Sequence, residues 1–301
     1  MKTRTTDFIS KEPTIPPQRI DTHPPSLAFP AEACDSHVHV FGPQQTYPHA
    51  AQPGYIPNEA TPQQLRSMLD VIGCKRAVIV QPSYYGTDNS CTVAGLRAGN
   101  GHFRGVAAID ETITDTQLKE LHEAGIRGIR VNLKAVNGAV SLALAHRLAN
   151  RIKIFGWHIQ FYFYADSMPN IADELVALPV EIVIDHIGYV RADDGIEGKG
   201  FQMLLQLAQS NRAWFKLSAP YRQSTQGPLF KDVAPLLRAL YQFAPSKCVW
   251  GSDWPHASRN DTGIIQVPND GDLADSLIFC FPDDADRQRI LVHNPARLYG
   301  F

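Results

Sequence analysis

The sequence lacks the cysteine pattern of a disulfide scaffold or a zinc knuckle. Its 301 residues contain five cysteines, and no two of them form a Cys-x-x-Cys pair. An odd number at wide spacing predicts buried free thiols, as in proteins of a reducing compartment. The five are Cys34, Cys74, Cys91, Cys248 and Cys280.

Three further absences limit the class of protein. With 28 Lys and Arg against 30 Asp and Glu, the chain has no excess of basic charge for binding nucleic acid or an anionic membrane. No apolar run approaches the ~18 residues that span a bilayer. Residues 1–30 contain six prolines but no apolar segment typical of a signal peptide. We therefore expect a cytoplasmic globular protein with an irregular N-terminal arm, residues 1–30.

From residue 31 onward, short segments rich in Val, Ile and aromatic residues alternate with amphipathic stretches. The short segments are typical of buried parallel strands. Helix signals lie between them, such as Thr61 followed by Pro62 at a predicted first turn. The predicted strands are Ala33–Val40, Arg76–Gln81, Phe103–Ile109, Gly128–Asn132, Ile159–Tyr164, Glu181–Asp185, Trp214–Leu217 and Lys247–Trp250. Eight strands alternating with helices predict one α/β domain, a (β/α)8 TIM barrel over residues 31–301.

A doubly wound parallel sheet is the main alternative fold. It is expected to carry a glycine-rich phosphate turn after its first strand, but residues 35–39 read Asp-Ser-His-Val-His at that place. We find no internal repeat or interdomain linker, so the single barrel is favoured.

Titratable side chains stand where several predicted strands end, and in a barrel these ends converge on one pocket. His37 and His39 are two residues apart and therefore face the same side of the first strand. His186 follows the sixth strand, and Asp253 lies between tryptophans after the eighth. A poorly solvated carboxylate there is predicted to act as a general base. The imidazoles are suited either to binding a metal or to donating hydrogen bonds to a substrate oxygen.

A second set of residues predicts an anionic substrate. Arg130, at the end of the fourth strand, and Arg222, after the seventh, carry guanidinium forks that match a carboxylate. Lys134 offers another cation just past the fourth strand. The other predicted substrate contacts are Gln81, Tyr162 and Tyr55.

Several motifs in order resemble the amidohydrolase superfamily, and within it the 2-pyrone-4,6-dicarboxylate lactonase branch. The similarity runs from about Ala33 to Tyr299 and leaves the N-terminal arm outside. The motifs are Cys34–Pro43, Ala124–Arg130, Gly156–His158, Ile184–Gly188, Trp250–His256 and Asn294–Tyr299.

The resemblance implies a distorted (β/α)8 barrel that hydrolyses small acidic lactones without a metal, in aromatic or sugar-acid catabolism. It implies that Asp253 accepts a proton from water while three histidines, at positions 37, 39 and 186, polarise the lactone carbonyl. Arg130 and Arg222 match arginines that hold substrate carboxylates, and Tyr55 and Tyr162 match tyrosines of the pocket. Lys134 stands where the branch has a further arginine, so a lactone other than the pyrone dicarboxylate, such as a sugar-acid lactone, is also expected.

Two alternatives remain open. The first is a zinc-dependent hydrolase or decarboxylase of the same superfamily, in which the three histidines and Asp253 surround a metal-bound water. The second is a non-catalytic module that keeps the barrel to bind a carboxylated metabolite. Metal analysis and activity after chelation distinguish the first from a metal-independent lactonase, and any turnover excludes the second.

Overall fold

The computed structural model describes residues 15–51, 54–133, 142–257, 259–260, 263–264 and 267–301. Eight parallel strands in these ranges form one sheet in chain order. The strands are β1 (Cys34–Val38), β2 (Arg76–Val80), β3 (Phe103–Ala107), β4 (Ile126–Asn132), β5 (His158–Tyr162), β6 (Ile182–Ile184), β7 (Ala213–Ser218) and β8 (Cys248–Gly251). Each overlaps a predicted strand, although β4 begins two residues earlier than predicted. Two short strands, β9 (Arg259–Asn260) and β10 (Gly263–Ile264), pair separately.

The sheet closes where the chain beyond β8 meets β1. Val38 forms a parallel bridge with Trp254. The Asp253 N–H donates to the His37 carbonyl at 2.9 Å, and the His39 N–H donates to the Trp254 carbonyl at 2.8 Å. The predicted (β/α)8 barrel is therefore confirmed, and its closing contacts involve residues of the predicted site.

Helices cover the outside of the barrel. They are α1 (Pro62–Ile72), α2 (Ser90–Ala98), α3 (Asp115–Glu123), α4 (Leu142–Ile152), α5 (Ala172–Val176), α6 (Lys199–Gln209), α7 (Ala234–Phe243), α8 (Asp270–Cys280), α9 (Asp284–Gln288) and α10 (Asn294–Tyr299). Thr61 caps α1 as predicted, in a reciprocal capping box with Gln64. No helix within the described ranges is long and apolar enough to cross a membrane.

The barrel interior contains both an apolar cluster and buried polar side chains. Tyr299 of α10 packs in the apolar cluster with side chains of the first three strands, namely Cys34, Val78, Val80 and Val106. Alternate residues of β5 and β7 place polar groups inside, among them Gln160 and Lys216, both fully buried. These polar groups lie beside the predicted pocket at the carboxyl ends of the strands.

The described part of the N-terminal arm, residues 15–30, contains no helix or strand and lies against the barrel. The Ile15 N–H donates to the Ile56 carbonyl at 2.9 Å. The His23 N–H donates to Asn269 Oδ1 at 3.2 Å. Phe29 packs edge-on against Trp250, with ring centroids 5.4 Å apart. All five cysteines are buried and unpaired, as predicted.

Candidate active site

The four predicted catalytic residues meet at the carboxyl ends of β1, β6 and β8. Asp253 Oδ1 lies 3.5 Å from His39 Nε2 and 3.7 Å from the Nε2 atoms of both His37 and His186. The rings of His37 and His186 have centroids 4.5 Å apart. All four residues are buried. One carboxylate oxygen therefore faces three imidazoles.

Two of these residues occupy unusual backbone conformations. His186 and Ile187, in the turn that follows β6, have φ values of +49° and +43°. Asp253 has φ of +71°. Non-glycine residues in this left-handed region cost free energy and are retained where surrounding structure imposes them. The backbone after β6 and β8 is thus held in strained turns that aim both side chains into the pocket.

The second oxygen of Asp253 is fully engaged by the turn that follows β7. Arg222 donates to Oδ2 through Nη2 at 2.7 Å and Nε at 3.1 Å, and the Tyr221 hydroxyl donates to it at 2.7 Å. Burial alone would raise the pKa of Asp253, but Arg222 and then His186 hold it well below its usual range. Asp253 is therefore poorly solvated, as predicted, but it is also ion-paired, and its role as a general base stays a prediction.

Tyr221 connects Asp253 to a second buried acid. Its hydroxyl oxygen lies 3.2 Å from His256 Nδ1, and His256 Nε2 lies 3.1 Å from Asp270 Oδ1. Both His256 and Asp270 are buried. The structure thus places His256 behind Tyr221, where it supports the contact of Tyr221 with Asp253.

A second polar layer lies directly beneath the pocket. Asp185 Oδ2 accepts a hydrogen bond from Gln160 Nε2 at 3.0 Å and lies 3.3 Å from Arg130 Nε. Lys216 Nζ donates to Gln160 Oε1 at 2.6 Å and lies 3.7 Å from Asp185 Oδ1. Burial would raise the pKa of Asp185, but His37, Lys216 and Arg130 hold it well below its usual range. In this layer the negative charge of Asp185 is compensated by the positive charges of Lys216 and Arg130.

The three histidines of the pocket differ in what their second nitrogen contacts. His39 Nδ1 lies 2.7 Å from the Val80 carbonyl, and His186 Nδ1 lies 2.7 Å from Ser218 Oγ. His37 Nδ1 lies 3.2 Å from Lys216 Nζ. Burial lowers the pKa of His37 well below its usual value and that of His186 to about 4. Both rings are therefore neutral near pH 7.

The geometry partly suits a metal ion. Ligand atoms of His37, His39 and Asp253 lie within 4.8 Å of one another, as do those of His37, Asp185 and His186. A metal-bound imidazole, however, needs a lone pair on the ligating nitrogen and normally donates its other N–H to an acceptor. His39 meets this requirement through Val80, whereas His37 Nδ1 faces both the Lys216 amine at 3.2 Å and Asp185 Oδ1 at 3.3 Å. The Lys216 amine disfavours the Nδ1–H form that a ligating Nε2 requires, so His37 fits a Zn²⁺ ligand less well than His39.

The predicted anion-binding residues lie beside the pocket. Arg130 is on β4, its guanidinium 5.0 Å from the ring centre of Tyr162 and its Nε near Asp185. Arg222 is buried against Asp253 and is not an exposed surface arginine. Tyr55 is partly buried, and burial raises its pKa to about 12. The substrate contacts of these residues stay predictions.

Gln81 is engaged by its own loop. Its amide nitrogen donates to the carbonyls of Gly86 and Asp88 at 3.1 and 2.8 Å, and its oxygen accepts from Thr92 Oγ1 at 2.5 Å. It thus holds the loop after β2 in place. Lys134 lies outside the described residues.

Sequence reasoning missed Lys216, Gln160 and Tyr221. The first two carried a usable signal. Lys216 is two residues before Ser218 and Gln160 two residues before Tyr162, so each shares the inward face of its strand. Tyr221 carried none, because the turn after β7 decides which of its side chains points inward.

Comparison with known proteins identifies the family of this chain. The sequence profile of the amidohydrolase family matches residues 34–301. The chain is 35% identical over 285 residues to the 2-pyrone-4,6-dicarboxylate hydrolase of Comamonas testosteroni, covering 91% of this chain and 92% of that protein. It is 34% identical over 291 residues to the 4-sulfomuconolactone hydrolase of Rhizobium radiobacter, covering 95% and 97%.

A solved structure shares the fold. It is a probable 2-pyrone-4,6-dicarboxylic acid hydrolase from Acinetobacter baumannii with citric acid bound. The two chains are 26% identical and superpose with a TM-score of 0.75, covering 90% of this chain and all of the other.

Proposed function

This chain belongs to the amidohydrolase family, and we propose that it hydrolyses a small lactone that carries an anionic group. One observation carries the proposal: Asp253 presents one oxygen to three imidazoles while its other oxygen binds a guanidinium. A proton acceptor, hydrogen-bonding groups for a carbonyl and an anion-binding group thus share one pocket. The names of the two relatives, which both describe acidic lactones, support this substrate class.

In the proposed reaction, Asp253 accepts a proton from the water that attacks the lactone carbonyl carbon. The carbonyl oxygen becomes negatively charged as the new C–O bond forms, and imidazole N–H groups stabilise that charge. The ring C–O bond then breaks, and the departing oxygen takes up the proton that Asp253 had accepted. The product is the open-chain hydroxy acid or its enol, and Asp253 is ionised again.

In this scheme Arg222 can donate hydrogen bonds to two acceptors, Asp253 and the acid group of the substrate. In the structure its fork lies on Asp253 Oδ2. An acid group on the substrate offers an equivalent acceptor and draws the guanidinium away, which leaves Tyr221 as the donor to Asp253. A carboxylate with fewer donors is a better proton acceptor. Binding of the anionic substrate therefore prepares the base, and an uncharged lactone does not.

Arg130 is the second group for the acid function. It stands at the pocket end of β4, over the face of Tyr162, where the guanidinium plane is fixed. Its partner Asp185 lies beneath it, so the donors directed away from Asp185 are the ones suited to a ligand. Lys134, outside the described residues, is proposed as an additional cation for the same acid group.

We also propose that the reaction needs no metal ion. The amine of Lys216 beside His37 Nδ1 supports this, because it opposes the protonation state that a zinc ligand requires. We expect full activity after exhaustive chelation, measured on protein whose metal content has been determined. Activity that disappears on chelation and returns with one equivalent of zinc would instead identify a zinc-dependent hydrolase or decarboxylase.

Five buried, unpaired thiols support a reducing compartment, and we propose the cytoplasm as the place of the reaction. Fractionation of cells that express the full chain tests this.

A panel of matched lactones tests the proposed function. For each ring size it contains an uncharged, a carboxylated and a sulfonated member, assayed in the hydrolytic and the lactone-forming directions, with D253N as the control for contaminating hydrolases. We expect turnover confined to acidic members. Preference for uncharged lactones would contradict the proposal, and binding without turnover of any member would favour the non-catalytic alternative.

A further inference from the structure

Lys216 is a buried lysine directly beneath the pocket. It lies on β7, two residues before Ser218, and its side chain has no exposed surface. Its amine donates to Gln160 Oε1 and faces Asp185 and His37. Burial lowers its pKa to about 8, and Asp185 opposes that shift. Near pH 7 the group is therefore an ammonium, with three donors and no lone pair.

The two neighbours of His37 Nδ1 require opposite tautomers. Asp185 Oδ1, at 3.3 Å, would require a proton on Nδ1, whereas the Lys216 ammonium, at 3.2 Å, requires a lone pair there. The contact with Lys216 has hydrogen-bond geometry, while Asp185 Oδ1 has no hydrogen-bond partner within the described residues. Nδ1 thus accepts from Lys216, and the ring proton is on Nε2.

The neighbouring His39 has the opposite arrangement. Its Nδ1 lies 2.7 Å from the Val80 carbonyl, an acceptor, so Nδ1 carries the proton and Nε2 directs a lone pair into the pocket. His37 and His39 are therefore not equivalent, although they flank the same Asp253 oxygen. His37 can donate to a substrate oxygen, and His39 can accept from the attacking water beside Asp253.

We propose that Lys216 is a positioning residue that holds His37 in its Nε2–H tautomer, so that this N–H donates to the lactone carbonyl oxygen. The inference rests on the proposed function for the identity of that oxygen. Its structural part, the tautomer and its dependence on Lys216, does not require turnover. The same contact keeps His37 from serving as a metal ligand through Nε2.

The first test is the tautomer itself. Long-range ¹H–¹⁵N correlation spectra of the full chain labelled with ¹⁵N-histidine, and assigned with H37Q and H39Q, distinguish the two ring nitrogens. We expect the proton on Nε2 of His37 and on Nδ1 of His39. A wild-type spectrum with the His37 proton on Nδ1 overturns the proposal, and this measurement needs no variant of Lys216.

The second test replaces the lysine. K216M removes the ammonium at similar side-chain length, and K247M is the matched control, because Lys247 is also buried but pairs with Glu181, outside the cluster around His37. In K216M the His37 proton is expected to move to Nδ1, toward Asp185. We expect kcat to fall by about 10²–10³-fold with little change in KM. An unchanged tautomer in folded K216M overturns the proposal.

Zinc affinity gives a readout that is independent of the reaction. Apo protein is titrated with zinc against a chromophoric chelator. Because K216M leaves Asp185 as the partner of His37 Nδ1, its zinc affinity is expected to rise by about 10–100-fold, while K247M matches the wild type. Equal affinities in K216M and the wild type overturn the proposal. If the tautomers and zinc affinities behave as expected but no acidic lactone is hydrolysed, the proposed function fails and the role of Lys216 in fixing His37 stands.

Discussion

The pocket and the layer beneath it each contain a buried carboxylate, but the two are held differently. Asp253 is bound by Tyr221 and Arg222, which lie in a turn beyond the end of β7. Asp185 is bound by side chains of the strands themselves, namely Gln160, Lys216 and Arg130. The pKa of each is held well below its usual range by neighbouring cations.

The difference separates a carboxylate whose ion pair can be exchanged for a ligand from one whose ion pairs belong to the barrel interior. Arg222 lies in a turn at the pocket and can shift from Asp253 to a ligand, whereas Gln160 and Lys216, which contact Asp185, are enclosed in the barrel interior. We therefore interpret Asp253 as the reacting carboxylate and Asp185 as part of the structural base that orients the pocket. Replacing each acid tests that division.

The largest expected effect is on turnover in D253N. The amide keeps the shape of the side chain but cannot accept a proton from water, so kcat is expected to fall by about 10²–10⁴-fold. Steady-state kinetics on the best acidic lactone measure the loss, with thermal unfolding as a check on the fold. Near-full activity would assign water activation to another group.

D185N is expected to act mainly on stability. It leaves Lys216 and Arg130 buried without their counter-charge, which costs about 3–5 kcal/mol of unfolding free energy. Because the folded-state pKa of Asp185 is depressed, the wild-type advantage is present above the usual value of 3.8 and is lost as the pH falls through the folded-state value. Urea unfolding of both proteins across this range measures it; a difference that grows on acidification would contradict the assignment.

R222M separates the two tasks of the arginine. For an acidic lactone, kcat/KM is expected to fall by about 10–100-fold, as a lost charge-assisted contact predicts. For the uncharged lactone of the same ring, removal of the guanidinium also frees Asp253, so kcat/KM is expected to stay level or rise. R222K retains the charge without the fork and serves as the comparison. Equal losses on both substrates would show that Arg222 is structural.

R130M is expected to give the smallest kinetic effect, because Arg130 is already paired with Asp185. KM for an acidic lactone should rise by about tenfold, with little change for the uncharged analogue. Paired assays on the two lactones give the ratio. An equal change in KM for both lactones would show that Arg130 acts only on Asp185 and not on the substrate.

The sequence was sufficient for the barrel and for bringing together Asp253 and the three histidines around it. Strand ends of a barrel converge, so His37, His39, His186 and Asp253 could be brought together from their places in the order of strands. The lower layer was also accessible in principle, since Gln160 and Lys216 follow from the alternation along β5 and β7.

The partner of Asp253 could not be predicted from the sequence. Arg222 was interpreted as a substrate contact, and its contact with Asp253 depends on the turn Pro220–Arg222, which begins after Ala219 at φ of +51°. No periodicity determines the direction of a side chain in such a turn. The left-handed backbone of His186 likewise has no signal in the sequence, although the place of the residue after β6 was predicted.

The bond between the Asp253 N–H and the His37 carbonyl closes the ring of strands. Residues 37 and 253 lie near opposite ends of the chain, so this contact has a high sequence separation and a large loop-closure entropy. The site contains residues of β1 and of the segment after β8. It is therefore incomplete in any folding intermediate in which these two have not yet paired. Recovery of catalysis after dilution from denaturant therefore reports closure of the whole barrel, and a chain with most of its strands formed gains no partial activity.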